Sequence, residues 1–117
     1  MTRAIGVKLT AEPLRLTMEE RKDFKISIAA TNRGDETVDP ELHRAQLLIN
    51  GEDSNVWGLA IANGKREAKW FALPPGETVS MTWSSMGASL FPNPGTFDLV
   101  LRFQDRELAP LHAEVTE

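Results

Sequence analysis

Two histidines, His43 and His112, are the side chains of this chain best suited to move a proton or hold a metal near neutral pH. Each has a carboxylate two residues away, Glu41 before His43 and Glu114 after His112. On a strand that spacing puts both groups on one face. Each pair thus offers two metal ligands, where zinc sites use three or four from the protein. No HxH or HExxH arrangement supplies the remainder. Ser84 and Ser85 could act as nucleophiles beside a histidine only if folding brought them there, and no Gly-x-Ser-x-Gly elbow prepares either. The acidic stretch from Gly51 to Ser54 reads as a solvated turn rather than a calcium loop, and no glycine-rich phosphate cradle occurs. The expectation is a protein that is not an enzyme, with no metal site and no cofactor.

Aromatic side chains are the second class of candidate. Trp57 and Trp70 bracket Asn63-Gly64 in the stretch WGLAIANGKREAKW. Asn-Gly between two apolar runs signals a type I′ hairpin, because both central residues need positive φ. With Asn63 and Gly64 as the loop, Ile61 faces Arg66, Leu59 faces Ala68, and Trp57 faces Trp70. The indole pair then serves either as a buried brace across the hairpin or as a flat platform for a sugar or protein. The composition of the two faces favours the brace. A rival local reading starts a helical turn at Ser54 with the serine as cap, and Gly58 argues against it. The connection from Trp83 to Phe91 is unusually apolar. Its Met86, Leu90 and Phe91 either plug one end of the fold or form a contact with a partner or a second copy.

The elements that must position these groups are strands. Phe24, Ile26, Ile28 and Ala30 alternate with Lys25, Ser27 and Thr31; Val79, Met81 and Trp83 alternate with Thr78, Ser80 and Thr82. Phe97, Leu99, Leu101 and Phe103 repeat the pattern. Such period-two alternation marks strands with one buried face. Weaker alternation runs over Ile5 to Leu9, Leu14 to Met18, Ala45 to Ile49 and Leu111 to Val115, with Pro13 suggesting an edge strand broken at that point. Turn signals lie at Asn32 to Glu36, Asn50-Gly51, Asn63-Gly64, Pro74 to Gly76 and Pro92 to Gly95. Asp39 to His43 suits a single helical turn. The pattern predicts an all-β, immunoglobulin-like antiparallel β-sandwich of about seven to nine strands.

Length and composition agree with that picture. The chain has 117 residues, 41% hydrophobic and 26% charged, which predicts one domain spanning residues 1–117. A formal charge of -4, without clustered Lys and Arg, disfavours a nucleic-acid partner, and none is expected. There is no cysteine, no secretory h-region and no apolar run long enough to span a bilayer. These features predict a cytoplasmic protein with no membrane partner.

The order of landmarks also carries a resemblance. Ala30-Thr31-Asn32 ends a strand before an acidic turn; Leu47 to Ile49 leads into Asn50-Gly51 and then Trp57. Leu73-Pro74-Pro75-Gly76-Glu77-Thr78 precedes a strand ending in Trp83, and Pro94-Gly95-Thr96-Phe97 opens the next. This order resembles bacterial immunoglobulin-like domains and is most similar to the intracellular proteinase inhibitors of the BsuPI type. The resemblance implies a sandwich fold and a regulatory role, and it transfers no reactive loop residue by residue. The leading functional expectation is a non-catalytic protein-binding module, acting on an unidentified protein partner or as a homodimer. A BsuPI-like proteinase inhibitor is the alternative, and carbohydrate binding through Trp57 and Trp70 is the second alternative.

Overall fold

The computed structural model describes residues 5–63, 68–104 and 106–117, with the backbone alone for Ala62 and Asn63. Alternation becomes strands almost everywhere it occurs. The described residues form β1 (Ile5–Glu12), β2 (Arg15–Thr17), β3 (Lys25–Asn32), β4 (Gln46–Ile49), β5 (Glu52–Asp53), β6 (Thr78–Trp83), β7 (Gly95–Phe103), β8 (Arg106–Glu107) and β9 (Leu111–Thr116). One sheet runs β1-β3-β6; the other runs β2-β9-β7-β4-β5, with β8 paired to β7. The result is the expected immunoglobulin-like sandwich.

Its core is the inward half of each alternating run. Phe24, Ile26, Ile28 and Ala30 from the β3 region are wholly buried, opposite Leu99, Leu101 and Phe103 of β7 and Leu47 of β4 in the same cluster. Each large side chain so buried contributes about 1.5–3 kcal/mol. Pro13 lies between β1, an edge of one sheet, and β2, an edge of the other, so its missing N–H interrupts no ladder. There the chain changes sheets, and β2 then pairs parallel with β9.

The expected Asn63-Gly64 hairpin is replaced by a helix. Residues 64–67, which include its second loop residue, lie outside the described residues. Its first arm is helix α1 (Asn55–Asn63), and Ala68–Trp70 on the far side is a 3₁₀ turn rather than a strand. Ser54 caps α1: the Trp57 N–H donates to its Oγ at 3.2 Å, and the Gly58 N–H to its carbonyl at 3.1 Å. Trp57 and Ile61 are buried, with Val56 and Ala60 packed on the same core, which is the spacing of a helical stripe. Leu59, an inward residue in the hairpin reading, is 66% exposed. Trp57 therefore does not oppose Trp70; it meets Trp83 of β6, ring centroids 4.9 Å apart at 62°. Its indole N–H donates to the Ala45 carbonyl at 3.0 Å. One helix thus bridges β6 of one sheet and the start of β4 in the other.

The type I′ geometry occurs at the other Asn-Gly pair. Ile49 faces Glu52 across the two-residue loop Asn50-Gly51, with φ of 51° and 86°. The Asn50 side chain extends the β4–β7 ladder past its last paired residues. Its Nδ2 donates to the Thr96 carbonyl at 3.3 Å, and its Oδ1 accepts the Asp98 N–H at 2.9 Å.

A second asparagine fixes the end of β3. Asn32 is completely buried, and its Nδ2 donates to the carbonyls of Glu36 (2.7 Å) and Leu73 (2.8 Å) while its Oδ1 accepts the Gly34 N–H (2.9 Å). Its own backbone N–H and carbonyl bond Glu77 and Gly76 at 3.0 and 2.8 Å. Asn32→Ala would remove three hydrogen bonds to the backbone at once, one buried at Leu73 and two part-buried at Glu36 and Gly34. The expected loss is about 2–4 kcal/mol, read as a lower denaturant midpoint at unchanged slope; a shift below 1 kcal/mol would show that water replaces the amide.

Candidate functional site

The aromatic and apolar side chains singled out from the sequence are in the core. Trp57 and Trp70 are 0% and 2% exposed, which removes the indole faces a sugar platform needs. Met86, Leu90 and Phe91 are also buried around the short helix α2 (Gly87–Leu90). Phe91 lies edge-on to Phe24 and tilted against Phe97, both at 4.9 Å. Arg21 straddles this end of the molecule, donating from Nη1 to the Phe91 carbonyl and from Nε to the Met18 carbonyl. Gly87 is obligatory there, because a Cβ would sit 2.1 Å from the Arg21 carbonyl oxygen. Ser84 and Ser85 of the same segment are exposed.

The histidines take different partners from those expected. His112 Nδ1 lies 2.6 Å from Asp98 Oδ1, directly across the β7–β9 ladder, rather than joining Glu114 on its own strand. Glu114 instead pairs with Arg15 of β2 at 3.2 Å. Glu41 pairs with Arg44 at 3.3 Å, and His43 is exposed beside it. Among the described residues no three His, Cys, Asp or Glu side chains gather as a metal site.

Several charged groups are paired on the outward side of the larger sheet. Arg15 and Glu114, Thr96, and the Asp98–His112 pair line an open groove of about 570 Å³ over β2, β9 and β7. Farther along, Gln46 of β4 stands beside Arg102 of β7 by register. Arg102 donates to Glu107 Oε2 from Nε and Nη2, at 3.2 and 2.8 Å. Gln46 Nε2 reaches Asp53 at 3.5 Å. Two depressions adjoin here and share Arg44 and Gln46. One, of about 330 Å³, also involves Glu41, Arg102, Phe103 and Gln104. The other, of about 560 Å³, continues past His43 and Asp53 to Asn55 and Leu59 at the start of α1. Of the residues lining this trough, the sequence reading picked out Glu41, His43 and Trp57 as candidates, and Trp57 is fully buried. The outward places of Gln46 and Arg102 are legible from alternation, but only strand register sets them side by side.

Away from this surface, Lys69 Nζ lies 2.8 Å from Glu77 Oε1. The hydrogen bond first, and the ammonium charge second, hold the Glu77 carboxyl below its ordinary value of 4.5.

No protein-family model and no curated protein sequence matches this chain. Among solved structures, it is similar to the β-glucosidase from Listeria innocua in complex with isofagomine, with a TM-score of 0.55 and 13% identity. A mutant β-glucosidase from Listeria innocua in complex with laminaribiose gives 0.53 and 14%, and the complex with gluconolactone 0.52 and 15%. Each match covers 97% of this chain and 16% of the other, so the chain spans one short segment of a much longer enzyme. At that identity the likeness establishes the fold. The functional expectation is corrected accordingly. Neither the protein-binding module nor the BsuPI-type inhibitor has a counterpart among these neighbours, which are segments of glycosidases. The indole platform of the sugar-binding alternative is buried. Among the described residues, no helix is long and apolar enough to cross a membrane.

Two outcomes follow from this geometry. Phe91→Ser removes a ring packed on two others and should lower stability by about 4 kcal/mol, seen as a large drop in melting temperature; an unchanged melt would disprove the plug. For Glu77, a lowered folded pKa means the Lys69 contact stabilises fully above the usual glutamate value. That advantage is lost as pH falls through the folded pKa. The gap in urea midpoint between the native chain and Glu77→Gln should therefore be positive at pH 7 and shrink as pH falls below 4.5 and through the folded value, as repeated denaturation series would record.

Proposed function

We propose that this chain is a carbohydrate-related β-sandwich domain that contacts glycan through the outward side of its larger sheet. The observation that carries the reading is the charge arrangement there. Arg15 with Glu114, His112 with Asp98, Arg102 with Glu107, and Arg44 with Glu41 are each paired internally. A surface of this kind presents many donors and acceptors but little net field, which suits a neutral ligand rich in hydroxyl groups. The fold likeness to a segment of β-glucosidases supports the same reading, since those proteins were solved with laminaribiose, gluconolactone and isofagomine.

The reading assigns contact rather than bond cleavage. Glycoside hydrolysis sets two carboxylates about the scissile bond, with one kept protonated in a desolvated setting. Asp98 and Glu114 are instead solvent-accessible, with side chains 58% and 47% exposed, and each lies against a basic partner. Titrating the ¹⁵N-labelled chain with laminaribiose and glucose tests the proposal. Amide shifts concentrated on β4, β7 and β9 are expected; no shift at millimolar sugar, across β-glucans of several linkages, would refute it.

A further inference from the structure

Of the strand edges among the described residues, β6 is the one left without protection. A free edge invites another strand, and proteins guard such edges with charge, proline or brevity. In the larger sheet, β2 has three residues and carries Arg15, and β5 and β8 are two charged residues each. In the smaller sheet, β1 presents Lys8 and Glu12 and ends at Pro13, and Arg106 Nη2 donates to its Ile5 carbonyl at 3.3 Å. β6 has six residues, TVSMTW, with no charge, no proline and no glycine. That composition marks a segment able to pair with copies of itself.

The phase of the ladder shows which backbone groups stand free. The Asn32 N–H donates to the Glu77 carbonyl directly opposite, which makes that position a hydrogen-bonded pair. Alternation from there makes Val79, Met81 and Trp83 the residues bonded to β3. Thr78, Ser80 and Thr82 turn their N–H and carbonyl groups to the open edge, and all three residues are exposed. Among the described residues, no backbone group outside the ladder reaches them. On the inward side, Met81 packs against the core but is only half-buried, whereas its β3 partner Ile28 is completely enclosed.

We infer that β6 is a homodimer interface, in which two copies pair β6 with β6, antiparallel about a two-fold axis beside Ser80. The result is one continuous sheet ordered β1-β3-β6-β6-β3-β1. Pairing that keeps inward faces inward can centre on Ser80 or on Met81. Centring on Ser80 sets Thr78 against Thr82 of the second copy and Ser80 against its counterpart, so the free groups of all three residues are bonded. Inward, Val79 then covers Met81 of the second copy. Outward, hydroxyl faces hydroxyl, as Ser27 with Thr82 and Thr31 with Thr78 already do within one copy, at 2.6 and 2.8 Å. An uncharged strand meets no like-charge repulsion from itself. Because the contact uses the same patch on each copy and β1 is guarded, assembly closes at two. The pairing leaves the outward side of the larger sheet open, so it holds whether or not that side takes glycan.

One strand pair is a small interface, so association is expected toward millimolar concentration. Sedimentation equilibrium and amide hydrogen exchange on the intact chain, from micromolar to millimolar, test it. The average mass should rise toward that of two chains. Exchange at Thr78, Ser80 and Thr82 should slow about tenfold once about nine-tenths of the chain is dimeric. Ser80→Lys sets like charges together at the axis, and Ser80→Pro removes an edge donor that β3 does not use. Both should stay monomeric at the same concentrations, with the melting temperature of the dilute protein nearly unchanged. Thr10→Ala, on the opposite edge of the sheet, should leave association as it is. Monomer mass with unchanged exchange up to millimolar concentration would overturn the inference. So would a dimer that survives both Ser80 variants, or assemblies larger than two. Should Ser80→Pro fail to fold, Ser80→Lys decides alone.

Discussion

A buried amide at the end of β3 sets the frame of the smaller sheet. Asn32 is wholly enclosed, so each of its polar atoms must find a partner within the protein. It finds them in three separate stretches: the turn at Gly34 and Glu36, the chain at Leu73, and the Gly76-Glu77 corner that delivers β6. Because an unpaired buried amide is costly, these stretches can occupy few other arrangements. β6 is thereby held antiparallel to β3, with Thr78 opposite Thr31 and Trp83 opposite Ile26.

Holding β6 in that register fixes where Trp83 stands, and Trp83 in turn receives Trp57. The gap between β6 and β4 is filled by α1, whose indole packs on one sheet and hydrogen-bonds the entry to the other. Aromatic area is thus spent on closing the sandwich. The same holds at the far end, where Phe91 joins Phe24 and Phe97 beneath Arg21. With the large rings withdrawn, the proposed glycan contact rests on the planar polar side chains on the outward side of the larger sheet. Internal pairing of their charges leaves that face suited to a neutral, hydroxyl-rich ligand.

Alternation made the seven main strands legible because burial of one face leaves a period-two trace in composition. It failed between Ser54 and Trp70. Trp57, Leu59 and Ile61 fit a strand, while Val56, Trp57, Ala60 and Ile61 fit a helix, and nine residues are too few for periodicity to arbitrate. Ser54 as a cap was the signal that pointed correctly. The two-residue β5 and β8 left no trace, since pairs so short have no pattern to read.

The sequence by itself determined the sandwich, its inward faces, the turn at Asn50-Gly51 and the absence of a ready metal or nucleophile motif. Those properties are local, written in propensity, alternation and residue type. Tertiary structure decided that Trp57 meets Trp83 instead of Trp70, that His112 meets Asp98 instead of acting with Glu114, and that Gln46, Arg102, Glu41 and Gln104 share one trough. Each of these is a contact between segments distant along the chain. Such contacts depend on strand register and on which element seals the open side, and neither is encoded in any single stretch.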